Sequence, residues 1–238
     1  MALSEKAMVS VVMPVYNEKA FIEEAVRRAV QTGIPAEIVI VDDFSTDGTR
    51  DVIERMRVGW EEHSCSLKVL LKGKNEGKGS ALRAGFGAAT GNVVIIQDAD
   101  LEYDPRDYPK LLAPILDGKA DVVYGSRFLG DPHRVLFFWH MVGNKALTFF
   151  SNMLTNINLS DMETGYKAFR TEVIRNIRLT SDRFGFEPEF TAKVAKAGYR
   201  IYETSISYSG RTYEEGKKVS WRDGVAAFYH IIRYNLFS

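Results

Sequence analysis

Two carboxylates separated by one alanine, Asp98 and Asp100, are the side chains of this 238-residue chain best placed by type and spacing to do chemistry. They stand directly behind Val93-Val94-Ile95-Ile96-Gln97, an apolar and β-branched run that predicts a buried strand. If the chain stays extended for two more residues, both carboxylates project to one side, where their repulsion asks for a cation. A hard divalent ion such as Mg2+ or Mn2+, ligated by oxygen and shared with substrate phosphates, is the natural partner. That chemistry points to a nucleoside diphosphate group. Taken alone, Asp-Ala-Asp is equally the start of a solvated turn, and its surroundings have to decide.

Short apolar runs recur along the chain at Val9 to Val15, Ile38 to Val41, Leu67 to Leu71, Val93 to Gln97 and Val122 to Tyr124. Helical spacing lies between them. Phe21, Ile22, Ala25, Val26, Ala29 and Val30 mark a first helix; Val52, Ile53 and Met56 mark a second, with Asp47 as N-cap. A third runs roughly from Lys78 to Thr90 and ends near Gly91. This βαβ series predicts an α/β fold with a mainly parallel sheet covered on both faces, in which ligands bind at the carboxyl ends of the strands. Polar clusters fall at that rim: Tyr16-Asn17-Glu18, Asp42-Asp43, Asp98-Ala99-Asp100 and Gly125-Ser126-Arg127. Four clusters at one rim outweigh four independent solvated turns.

Composition narrows the function classes. Lys and Arg number 31 and so do Asp and Glu, so the formal net charge is zero and a broad basic field for nucleic acid is not expected. The length predicts one large domain over residues 1–238. Cys65 stands alone, which excludes an intrachain disulfide and fits a reducing compartment. Neither a leader's apolar core nor a run of ~20 apolar residues is visible, so the expected location is cytoplasmic. His63, His133, His140 and His230 lack metal-ligand spacing, and no Ser-His-Asp or Cys-His nucleophile set is evident.

The ordered segments Met13-Pro14-Val15-Tyr16-Asn17-Glu18, Val41-Asp42-Asp43-Phe44-Ser45-Thr46-Asp47-Gly48-Thr49, Asn75-Glu76-Gly77-Lys78-Gly79 and Asp98-Ala99-Asp100 resemble the motifs of inverting family 2 glycosyltransferases with the GT-A (Rossmann-like) fold. Gly125-Ser126-Arg127 and Asp161-Met162-Glu163-Thr164-Gly165-Tyr166-Lys167 are similar to the branch that makes polyprenyl-phosphate sugars, the dolichol-phosphate mannose synthase and dolichol-phosphate glucosyltransferase type. The resemblance runs from about Val9 to Lys217. It implies that Pro14, Tyr16, Glu18, Asp42 and Asp43 line a nucleotide pocket, that Asp98 reaches the nucleoside or its ribose, and that Lys78 lies beside the diphosphate. Asp100 would hold Mg2+ or Mn2+, with Glu102 as an additional ligand where relatives commonly carry Gln. The metal would stabilise charge growing on the departing phosphate.

A polyprenyl phosphate acceptor is already anionic, its second ionisation lying near ~6 by analogy with phosphoamino acids, so cationic positioning matters more than a strong base. Arg127, Arg134, Arg211 and Lys217 are the candidates to hold it. Asp161 either orients the acceptor or assists proton transfer, or else is a buried hydrogen-bonding residue near Gly165. The apolar side chains from Val135 to Leu154 surround most of a helical cylinder. Core packing, a dimer contact and an interfacial helix against a bilayer all account for them. Phe228, Ile231, Ile232 and Phe237, beside Arg222 and Arg233, would assist the last. Residues 126–160 and 211–238 are thus the expected acceptor-facing and C-terminal segments. The expected reaction is inverting transfer of a hexose, from GDP-mannose first and UDP-glucose second, to a dolichyl or undecaprenyl phosphate at the cytoplasmic face of a membrane, with a membrane partner subunit or homodimer as a means of recruitment. The alternatives are a glycan acceptor and a nucleotide-sugar-binding subunit without turnover.

Overall fold

The computed structural model describes residues 8–130, 134–135, 137–183, 185–212, 214 and 221–237. Its strands are β1 (Val9–Val15), β2 (Pro35–Asp42), β3 (Ser66–Leu71), β4 (Val93–Ile96), β5 (Val122–Ser126), β6 (Lys167–Arg170) and β7 (Ile201–Ser205). They form one sheet in the order β3-β2-β1-β4-β6-β5-β7. β1 pairs in parallel with β2 and β4, β2 with β3, and β5 with β7. β6 runs antiparallel between β4 and β5. The five apolar runs are thus all strands, and β6 and β7 are additional to them.

Alternation along β1 explains the two layers that flank the sheet. Val9, Val11, Met13 and Val15 pack with Ile22, Val26 and Ala29 of α1 (Ile22–Gln31), with Val52 and Ile53 of α2 (Thr49–Val58), and with Leu111 and Ile115 of α4 (Tyr108–Leu116). Val12 faces the other way, toward Leu82 and Phe86 of α3 (Lys78–Ala88). That layer continues through Phe186 and Phe190 of α7 (Phe186–Lys196) and Ile231 of α8 (Trp221–Leu236). A short α6 (Thr171–Asn176) links β6 to the loop before α7. Asp47 lies one residue outside the expected cap position. Gly48 is the N-cap of α2, with φ 93°, and the Asp47 carboxylate accepts from Thr49 N–H at 2.9 Å.

The apolar segment forms α5 (Phe138–Thr155), and it is built inside out. Its buried residues are Thr148 and Ser151, whereas Phe138, Trp139, Phe149 and Met153 are 58–77% exposed. Core packing therefore does not account for its large side chains. Leu147 and Leu154 are partly buried against the second layer, and Phe150 meets Phe228 of α8 edge to face at 5.2 Å.

Three turns leave the carboxyl ends of the strands through left-handed residues: Asn17 (φ 52°) after β1, Phe44 (φ 67°) after β2 and Leu101 (φ 62°) after β4. Outside glycine this conformation costs about 1–2 kcal/mol. Its concentration at one rim marks the place where backbone direction matters more than local comfort.

Candidate active site

A cavity of about 1170 Å³ opens at that rim. Pro14, Tyr16 and Glu18 after β1, Asp43 after β2, Lys78 at the start of α3, and Asp98, Asp100 and Glu102 after β4 all line it. So do Arg127, Arg134 and Arg211 from the second half of the chain. Asp42 does not line it among the described residues, because its fully buried carboxylate accepts from Ser45 N–H and pairs with Arg50 at 2.6 Å. Asp161 lies beneath Arg127 and is also fully buried. Lys217, like His133, falls outside the described residues.

One side of the cavity is fixed by Asp43. Its carboxylate accepts from Glu76 N–H at 3.1 Å and Gly77 N–H at 2.5 Å and pairs with Lys72 at 2.7 Å. That clamp sets the turn from which α3 begins. Gly77 (φ 96°) is required there, since a Cβ would overlap Asp182 O and the Arg183 side chain. Lys78, the first residue of α3, then reaches Asp98 Oδ2 at 3.0 Å and Glu187 Oε1 at 3.2 Å. Burial favours loss of its proton, but Asp98 and Glu187 outweigh it and raise its pKa above the ordinary lysine value. Gly165 packs so closely on this pair that a Cβ would overlap the Asp98 carboxylate.

The two carboxylates of the Asp-Ala-Asp segment do not continue the strand. β4 stops at Ile96 and the chain turns at Ala99, so Asp98 and Asp100 meet different cations. Asp98 is held by Lys78; Asp100 Oδ2 lies 3.2 Å from Arg211. Arg211 also approaches Glu18 at 3.3 Å and Glu102 at 3.6 Å, and its backbone N–H donates to Glu102 at 2.8 Å. One guanidinium facing three carboxylates leaves negative charge uncompensated. Burial first, then Asp98 and Glu102, push the Asp100 carboxyl up to about 7 in spite of Arg211. A hard cation relieves that excess, and the oxygen donors fit one. Among the described residues no three metal-ligating side chains converge on one point. The set is instead the one- or two-carboxylate kind that Mg2+ completes with phosphate oxygens and water.

On the side formed by the second half of the chain Arg127 forms a two-point pair with Asp161, Nε to Oδ2 at 2.6 Å and Nη2 to Oδ1 at 2.7 Å. Burial disfavours the Asp161 anion, but Arg127 outweighs burial and lowers its pKa. The guanidinium lies over the Tyr208 ring at 5.2 Å, and Tyr208 Oη donates to Glu102 at 2.9 Å. Arg134 donates to Gly210 O at 3.2 Å and stays exposed at the cavity mouth. Beyond it the wall passes to Phe137, Phe138 and Trp139.

The structure adds lining residues to which the sequence gave no role: Glu163, Tyr103 and Glu187. Glu163 sits inside a quoted motif. Glu187 had one weak signal, a buried acid in the apolar window Phe186-Glu187-Pro188-Glu189-Phe190.

The family model described as glycosyl transferase family 2 matches residues 10–178. The chain belongs to glycosyl transferase family 2. It is 31% identical over 215 residues to the dolichol-phosphate mannosyltransferase of Pyrococcus furiosus, covering 88% of this chain and 58% of that protein. It is 30% identical to the undecaprenyl-phosphate mannosyltransferase of Micrococcus luteus, covering 87% and 85%. The chain thus spans little more than half of the first relative and most of the second. Among solved structures, glucosyl-3-phosphoglycerate synthase from Mycobacterium tuberculosis, in complex with Mn2+, UDP and glucosyl-3-phosphoglycerate, superposes with a TM-score of 0.73 at 18% identity, covering 96% of this chain and 80% of that one. The sheet and its covering helices are those of the GT-A fold.

Proposed function

We propose that this family 2 member transfers a hexose, mannose by preference, from a nucleotide sugar to a polyprenyl phosphate with inversion at the anomeric carbon. The observation that carries the reading is the order of groups along one cavity. Carboxylates and Lys78 lie at the nucleotide end, the buried Arg127–Asp161 pair lies beyond them, and exposed aromatic residues of α5 form the mouth. A phosphate-holding cation between a nucleotide site and an apolar surface is what a lipid phosphate acceptor needs. The names of the Pyrococcus and Micrococcus relatives agree with it.

In this reading Asp43, Glu18 and Tyr16 hold the nucleotide, and Lys78 faces the diphosphate from the start of α3. Asp100, with Glu102 beside it, would hold Mg2+ or Mn2+, and the ion would supply Lewis-acid neutralisation of charge on the leaving diphosphate. Arg127, fixed in direction by Asp161, and Arg134 bring the acceptor phosphate to the far side of the sugar. The acceptor oxygen is already ionised, so attack needs alignment rather than a strong base. The described residues of 126–160 and 211–238 form the acceptor side, and the aromatic faces of α5 and α8 lie in the headgroup layer. Among the described residues no helix is long and apolar enough to cross a membrane.

A donor-by-acceptor matrix tests this. Purified chain is mixed with GDP-mannose, UDP-glucose or related donors and with vesicles carrying dolichyl or undecaprenyl phosphate, and lipid-linked sugar is read out. Formation of polyprenyl-phosphate mannose is expected. Transfer to soluble glycans alone, or donor binding without any turnover, would overturn the proposal.

A further inference from the structure

Glu163 is the one carboxyl of the cavity wall with a wholly shielded oxygen, Oε1, that has no hydrogen-bond partner among the described residues. Other lining acids are engaged: Asp43 by two N–H groups and Lys72, Asp98 and Glu187 by Lys78, Glu102 by Tyr208 and the Arg211 N–H. Arg211 Nε is the other such atom on this wall, and an unpaired carboxyl oxygen costs free energy unless the side chain turns to a partner that enters the cavity.

Its position says what enters. The charged groups that face Glu163 are Glu187 and Lys167, then Arg127 and Asp161. Glu187 is bonded to Lys78, the diphosphate-side cation, and Arg127 is the acceptor-side cation. In an inverting displacement the transferred sugar lies between the leaving and the incoming phosphate. Glu163 lines the cavity and has both the acid bonded to Lys78 and Arg127 itself among its charge neighbours. We propose that Glu163 is a specificity-determining residue that hydrogen-bonds a hydroxyl of the transferred hexose, an inference that rests on the nucleotide-sugar reading above.

Its protonation suits the task. Burial first, then Glu187, push its carboxyl up to about 8 against the pull of Lys167 and Arg127. At neutral pH it is a neutral acid that both donates and accepts, as a sugar hydroxyl does, and it adds no negative charge beside the diphosphate. The backbone holds it firmly: Asp161 two residues earlier is locked to Arg127, and Gly165 two residues later donates its N–H to Tyr103 Oη at 3.0 Å.

Calorimetry of GDP-mannose and GDP, and of UDP-glucose and UDP, separates sugar recognition from nucleotide recognition and needs no acceptor. For Glu163→Ala the affinity of the preferred sugar nucleotide relative to its own diphosphate should fall about tenfold, with diphosphate affinity unchanged. The spread of kcat/KM over donor epimers should narrow in the same variant, through KM more than kcat. Glu163→Gln, which stays neutral and can still donate and accept, should restore both. An unchanged ratio in Glu163→Ala, a parallel loss of sugar-nucleotide and diphosphate affinity, or failure of Glu163→Gln to rescue would overturn the assignment. If wild-type protein binds nucleotide sugars but transfers nothing to polyprenyl phosphate, the acceptor reading falls while the calorimetric ratio still decides Glu163. Loss of all binding by wild type would overturn both.

Discussion

The charged rim of the sheet and the α5–α8 helix pair beside it solve opposite problems. At the rim, Asp43, Asp98 and Asp161 are each met by a cation of the chain itself, at 2.6–3.0 Å. On the helices, large apolar side chains turn outward while Thr148 and Ser151 turn inward. These three acids are paired within the chain and held in direction, while Asp100 keeps an excess of negative charge around it. The helix face leaves its large apolar side chains exposed, which on the reading proposed above an apolar environment would cover.

The sharpest way to break the rim is to remove the cation paired with the fully buried Asp161. Arg127→Ala takes away its ion-pair partner and leaves only the weaker influence of Lys167, which should cost about 3–5 kcal/mol of stability. Urea denaturation checks this, and nucleotide affinity of the remaining folded protein should stay near normal. A midpoint unchanged from wild type would show that Asp161 has another partner.

Next in size is the metal-facing acid. Asp100→Ala should lower turnover on the order of 10²–10³-fold with the fold intact, and chelation of wild type should reproduce the defect. Turnover indifferent to both treatments would remove Asp100 from the chemistry.

The helix face should respond in the reverse sense. Replacing Phe138 and Trp139 by serine should leave the melting temperature nearly unchanged, because both are exposed, yet weaken vesicle binding by ~1.5–3 kcal/mol per side chain that enters the bilayer. Vesicle co-sedimentation and a melting curve on the same sample read both effects. A large melting shift with normal vesicle binding would return these residues to a packing role.

The smallest effect lies at the opposite end of the sheet and serves as a reference for the rim. Glu37 is buried, but Lys68 at 2.6 Å, Ser10 and Thr90 outweigh that burial and hold its carboxyl down at about 2. A lowered folded-state value means that this stability is present above the ordinary glutamate range near 4.5 and is lost as pH falls toward about 2. Glu37→Gln should flatten the acid limb of a stability-against-pH curve in that window and leave the pH dependence of turnover untouched.

Part of the site was readable in the sequence because its residues stand directly behind strands or at a helix start. Asp43 follows β2 and Lys78 follows a glycine-rich segment at the start of α3, whereas the turn that Asp43 clamps lies 33 and 34 residues further on, at Glu76 and Gly77. The rest was not, for two physical reasons. β6 and β7 are only four and five residues long, and β6 carries Lys167 and Arg170, so neither shows a hydrophobic run. The contacts of Arg211 with Asp100 and Glu18 join residues 111 and 193 positions apart, which no periodicity encodes. The sequence offered Arg211 to the acceptor phosphate and gave no sign that its guanidinium also lies among Glu18, Asp100 and Glu102. The apolar pattern of α5 was visible, but which way it faced depended on α8.

A ribosome delivers β4 and β5 before the strand that separates them. Both are finished by Ser126, while β6 spans Lys167–Arg170 and must slide between them in the opposite direction. Until Arg170 has emerged, β4 keeps an open edge and β5 has no seat beside it. In that interval α5 is already made and Phe150 still lacks its contact with Phe228 of α8. The β1–β4 half of the sheet closes early through parallel pairings and the β6–β5–β7 half is completed last, so the strand order also sets a window during biogenesis in which a chaperone would have most to hold.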